Sequence, residues 1–124
     1  MIISVDPTLR EPPYQQIWMQ VVAAVATGSL ATGTRLPTIR QLAADLDLAT
    51  GTIARAYREL EVAGVIETRG RKGSFVREST ATPPAVERGR QLDVAARACV
   101  EEARRLGAPA AEVAAALARA LAAT

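Results

Sequence analysis

The sequence predicts a mainly α-helical fold with one small β-hairpin, followed by a further pair of helices. Three observations predict it. Apolar residues recur at three- and four-residue steps in separate windows along the chain. The period shortens to about two only between Gly64 and Val76. Glycine or proline stands at most of the places where one pattern gives way to the next. With 124 residues and 49% apolar content, the chain is long enough for one modest core and a small extension.

The elements follow in order. Pro7, Pro12 and Pro13 hold the opening segment out of helix until about Tyr14, so it reads as an extended arm. Ile17, Val21, Ala24 and Val25 then share one helical face, and Gly28 supplies a left-handed stop. The stretch LATGTRLP reads as a loop. Thr38-Ile39-Arg40-Gln41 has the form of a capping box, which starts a second helix with Leu42, Ala43 and Leu46 inside, running to about Asp47. A third helix starts near Thr50, carries Ile53, Ala56, Tyr57 and Leu60 on its inner face, and stops at Gly64. The short join between these two helices is that of a helix-turn-helix. VIETR and SFVRE are strand candidates flanking Arg69-Gly70-Arg71-Lys72-Gly73, whose glycines allow the positive φ of a hairpin loop. Helix, helix, helix, hairpin is the order of a winged helix-turn-helix, assigned to residues 1–78 with its arm.

Residues 79–87, rich in hydroxyls and with Pro83-Pro84, read as a linker. Residues 88–124 form an alanine-rich helical hairpin. Its first stripe is Leu92, Ala96, Cys99, Ala103 and Leu106, and its second is Val113, Leu117 and Leu121, with Gly107 and Pro109 between them. Small residues permit the two helices to approach closely, but two short helices bury too little to stand alone. The expected partner is the same hairpin of a second chain, giving a homodimer. Ile53, Tyr57 and Phe75 are expected in the core, and Cys99 packs on the tail's apolar face.

Composition narrows function. There is no histidine and one cysteine, so an intrachain disulfide, the usual metal clusters and a nucleophile–histidine pair are all out of reach. No metal, cofactor or catalytic residue is expected, and the enzyme class falls away. Apolar runs such as Val21–Ala26 are about a third of the roughly 20 residues that cross a bilayer, and the N-terminus lacks a signal pattern. A soluble cytoplasmic protein without a membrane partner is expected. Net charge is +2, but residues 28–77 carry eight basic and five acidic groups, so the positive excess sits in the middle.

Residues Gly28 to Val76 also carry a resemblance. They are similar to the DNA-binding domain of the GntR family of bacterial transcription regulators, with Gly33, Leu36, Pro37, Arg40, Leu42, Ala43, Thr52, Arg55, Ala56, Leu60, Gly64 and Gly70 in register with its pattern. The short two-helix tail is similar to the YtrA subfamily. Two departures fall where base contacts are expected. Ala49 stands for the serine that usually opens the recognition helix, removing a hydroxyl cap, and Thr50 stands for the arginine after it. Thr38, in place of serine in the Leu-Pro-Ser motif, keeps its cap.

The resemblance implies a sequence-specific regulator, a repressor binding an inverted-repeat DNA operator as a homodimer. It places Thr50, Gly51 and Thr52 toward bases and Arg55 toward bases or backbone. Arg40 is basic in the first turn of its helix, against the dipole, and contact with a phosphate or guanine gives it a reason to be there. Arg35 and Thr38 beside it, and Arg69, Gly70, Arg71 and Lys72 on the wing, complete the candidate surface. The family further implies control by a small-molecule effector or by neighbouring-gene context. The tail is too small to enclose a ligand itself, which leaves a site between domains or across a dimer. A second reading, a protein-interaction module on a winged-helix scaffold without DNA binding, gives no reason to keep Arg40, Arg55 and the basic wing.

Overall fold

In the computed structural model, which describes residues 3–78 and 83–124, the elements run α1 (Pro13–Ala26), α2 (Ile39–Leu46), α3 (Thr50–Val62), β1 (Ile66–Thr68), a 3-10 turn (Gly70–Lys72), β2 (Ser74–Val76), α4 (Ala85–Arg105) and α5 (Ala110–Ala122). Pro13 opens α1, where a missing N–H and a fixed φ suit the first helical position. The buried residues of α1 are Gln16, Ile17, Trp18, Val21 and Val22. They meet Leu42 and Ala43 of α2, the four inner residues predicted for α3, and Val65, Ile66 and Val76 of the hairpin in one core.

The N-terminal arm is tied down by amide side chains. Gln16 is buried, at 6% exposure, and its carboxamide accepts from Asp6 N–H at 2.8 Å and donates to the carbonyls of Asp6 and Glu11 at 2.9 and 2.7 Å. Gln20 makes the same paired contact with the backbone of Ser4. An unpaired amide buried here would be costly, by about 1–3 kcal/mol, so this pairing is what allows Ile3 and Val5 to lie against the core.

The capping box forms as predicted. Gln41 N–H donates to Thr38 Oγ1, and Thr38 N–H donates to Gln41 Oε1, each at 3.1 Å. At the start of α3, Ala49 provides no side-chain cap. Between the helices Asp47 takes φ 54°, a left-handed conformation that aspartate tolerates better than most residues.

The strands pair antiparallel in the register Ile66↔Val76, Glu67↔Phe75 and Thr68↔Ser74. The stretch read as a loop does more than connect. Gly33 and Leu36 donate to the carbonyls of Val76 and Ser74, and Val76 N–H donates to Thr34, all within 2.8–2.9 Å. The segment thereby covers the free edge of β2, with Arg35 opposite Phe75. It spans too few residues between Gly33 and Pro37 to show alternation. Phe75, expected in the core, is only half-buried.

The tail begins earlier than expected. Residues 85–87, read as linker, are the first turn of α4, while residues 79–82 lie outside the described residues. The first half of α4 docks on the preceding domain. Val94 is buried at 8% exposure, the Arg90 guanidinium lies 4.4 Å over the Trp18 ring, and Gln91 Nε2 donates to the carbonyl of Ala63 at 3.0 Å, satisfying the end of α3. Of the predicted stripe, Ala103 is buried and Cys99 half-buried, whereas Leu92, Ala96 and Leu106 are exposed. On α5, Val113 is half-buried and Leu117 and Leu121 are 50% and 75% exposed. The close approach expected of α4 and α5 is not what forms. The helices flank a groove of about 640 Å³ lined by Cys99, Ala103, Leu106, Val113 and Leu117.

Candidate nucleic-acid interface

The start of α2, the start of α3 and the wing enclose an open cleft of about 550 Å³. It gathers four predicted residues from three parts of the sequence, Thr38, Arg40, Thr50 and Gly70. Tyr57 lies at its base and donates from its hydroxyl to the carbonyl of Pro37 at 2.6 Å, which ties α3 to the segment that leads into α2. Burial pushes this phenol up to about 12, so it remains a donor at neutral pH.

The cations differ in how freely they stand. Arg40, Arg71 and Lys72 are exposed, and none takes part in the ion pairs found among the described residues. Arg71 and Lys72 sit on the 3-10 turn at the wing tip, held between Gly70 at φ 55° and Gly73 at φ 108°. Arg35 lies across the wing backbone. Its Nε is 3.0 Å from where a Cβ on Gly73 would be, so a side chain there would displace it. Arg69 is committed within the chain: it pairs with Glu67 at 2.6 Å and lies 4.5 Å over the Phe75 ring. That neutralising partner stands two residues earlier, on β1, a spacing readable from sequence.

On α3 the candidates divide between two faces. Thr50 lines the cleft. Gly51 and Arg55, four residues apart, lie on one exposed stripe with half-buried Thr52 beside it. A Cβ added at Gly51 would meet nothing within 4 Å, so no contact among the described residues accounts for this glycine. Arg58 continues the stripe one turn on, exposed and outside the ion pairs found. Sequence reasoning passed over it, although its three-residue step from Arg55 was the available signal. The Arg55 guanidinium itself lies 3.7 Å from the centroid of the Tyr14 ring in α1.

Among the described residues no group of three histidines, cysteines or carboxylates is placed to hold a metal ion, and no helix is long and apolar enough to cross a membrane. The arrangement is suited to holding polyanions and presenting hydrogen-bonding groups to base edges.

Comparison with known proteins agrees. Residues 13–76 match the family described as bacterial regulatory proteins, gntR family. The chain is 44% identical over 105 residues to the HTH-type transcriptional regulator Rv1152 of Mycobacterium tuberculosis, covering 85% of this chain and 82% of the relative. It is 35% identical over 81 residues to the HTH-type transcriptional repressor YtrA of Bacillus subtilis, covering 65% and 62%. Among solved structures it is similar to YtrA from Sulfolobus acidocaldarius, a GntR-family transcription factor, with TM-score 0.61 and 34% identity over 64% of this chain and 84% of that one. With a winged helix-turn-helix, exposed cations beside its cleft and a family match over more than half its length, the chain belongs to the GntR family of bacterial transcription regulators and is a DNA-binding protein.

Proposed function

We propose that the protein is a cytoplasmic, non-enzymatic repressor that binds an inverted-repeat operator as a homodimer. The observation that carries the DNA surface is the cleft that collects Thr38, Arg40, Thr50 and Gly70 beside a wing tip whose Arg71 and Lys72 stand outside the ion pairs found. Thr50, Thr52 and Arg55 read base edges, and Gly51, without a side chain, lets the helix approach the duplex closely. Arg35, Thr38, Arg40 and the wing residues Gly70, Arg71 and Lys72 hold the backbone, and Arg69 joins them only by exchanging Glu67 for a phosphate. Repression is supported by the name of the Bacillus subtilis relative, a transcriptional repressor. The test is titration on an operator selected from a random pool and on unrelated duplex, at several salt concentrations. Arg40→Ala and Arg71→Ala should weaken both alike and lower the salt slope by about one counterion each. Thr52→Ala should cost about 1–3 kcal/mol on the operator and much less on unrelated DNA. Equal operator affinity for Thr52→Ala and the parent would remove α3 as the reading surface.

Dimerisation is assigned to the tail, because Leu92, Leu106, Leu117 and Leu121 lie exposed on α4 and α5. The half-buried Val113 and Cys99 and the buried Ala103 line the groove between the two helices, and exposed Ala96 lies on α4 beside them. Leu117→Glu should convert the dimer to monomer in sedimentation at micromolar concentration, and an unchanged dimer would move the interface elsewhere. A small-molecule effector would share this same groove, at whose wall Thr27 of the DNA-binding half also stands.

A further inference from the structure

The contact between Arg55 and Tyr14 crosses 41 residues of sequence and joins the recognition helix to a helix outside the helix-turn-helix. At 3.7 Å it is closer than the other two stacks found, Arg90 on Trp18 at 4.4 Å and Arg69 on Phe75 at 4.5 Å. Arg69 also has a carboxylate partner and Arg90 pairs with Glu87, whereas Arg55 is in none of the ion pairs found among the described residues. The ring is therefore the contact that orients it. Tyr14 is itself fixed, half-buried against the core in the first turn of α1.

A guanidinium stacked on a ring uses its flat face and leaves the N–H groups at its edge available. This is what a paired contact with a base edge or a phosphate needs, and a side chain held beforehand loses less freedom on binding. We propose that Tyr14 is a positioning residue for DNA recognition: its ring holds the Arg55 guanidinium in a set plane, so that discrimination by α3 depends on a residue of α1. This rests on the reading of Arg55 as DNA-facing.

The test uses the full chain with Tyr14→Phe, Tyr14→Leu, Arg55→Ala and the double variant Tyr14→Leu/Arg55→Ala. The probes are the duplex that the parent protein enriches from a random pool and a scrambled duplex of the same composition. The Phe variant keeps an aromatic face, and the Leu variant keeps apolar bulk without one. Tyr14→Phe should preserve the ratio of the two affinities, whereas Tyr14→Leu should lower it roughly two- to fivefold, the range of an exposed stack of this kind. The salt slope should be unchanged, and Tyr14→Leu should add no further loss once Arg55 is alanine. A Leu variant that discriminates like the parent overturns the proposal, as does one that binds the operator more tightly or one whose loss persists without Arg55. If Arg55→Ala leaves discrimination intact, the base-facing reading of Arg55 fails and the proposal with it. If Arg55→Ala matters and Tyr14→Leu does not, only the role of Tyr14 falls.

Discussion

The DNA-binding half and the tail bury their apolar residues to very different degrees. The largest fully buried side chains, Ile17, Val21, Ile53, Leu60, Ile66 and Val76, all lie before residue 77, while the tail adds only Val94 and Ala103 to the buried apolar set and α5 buries nothing. The first region is stabilised by its own packing. The second borrows part of that core through α4 and leaves the rest of its apolar surface exposed. Regular helices alone do not make a folding unit, since α4 is the longest helix in the chain at 21 residues yet depends on α1 for its buried contact.

The widest test of that contrast pairs a core residue with a tail residue. Ile53→Ala should destabilise by about 2–5 kcal/mol because it empties fully buried space, whereas Leu121→Ala, 75% exposed, should stay within about 0.5 kcal/mol. Urea unfolding at low protein concentration measures both, and equal losses would erase the distinction. Next in size, Val94→Ala removes the buried anchor of α4 and should lower stability by about 1–2 kcal/mol, from roughly 0.8 kcal/mol per buried methylene-sized group. An effect near zero would mean that α4 is docked by its polar contacts alone. The smallest change compares two helix starts within the first region. Thr38→Ala should cost about 1 kcal/mol by removing a cap, and Ala49→Ser should add several tenths or more by supplying the one α3 lacks. No gain from serine at position 49 would indicate that the start of α3 is already satisfied.

Sequence reading recovered the first region closely, because each of its helices combines inward residues at regular steps with a cap or a stop, as Thr38 and Gln41 do for α2 and Gly64 at φ 77° does after α3. Motif register assigned Thr38, Arg40, Thr50 and Gly70 to one surface, and the cleft gathers all four. What sequence reading missed are contacts without a local period. The pairing of Gly33–Leu36 with β2 spans too few residues to alternate. The docking face of α4 depends on Arg90, Gln91 and Val94, whereas the stripe legible in sequence was that of Leu92, Ala96 and Cys99 on a different side of the same helix. The stack of Arg55 on Tyr14 joins two helices far apart in sequence, and nothing near either residue signals the other.

The docking of α4 also places an optical probe at the joint between the two regions. Trp18 is the only tryptophan in the chain, its Nε1 has no hydrogen-bond partner among the described residues, and the Arg90 guanidinium covers its ring. An indole in such a dry setting emits at short wavelength, and lifting α4 would admit water to it. Intrinsic fluorescence therefore reports whether the tail is seated, with or without DNA, and no dye has to be attached.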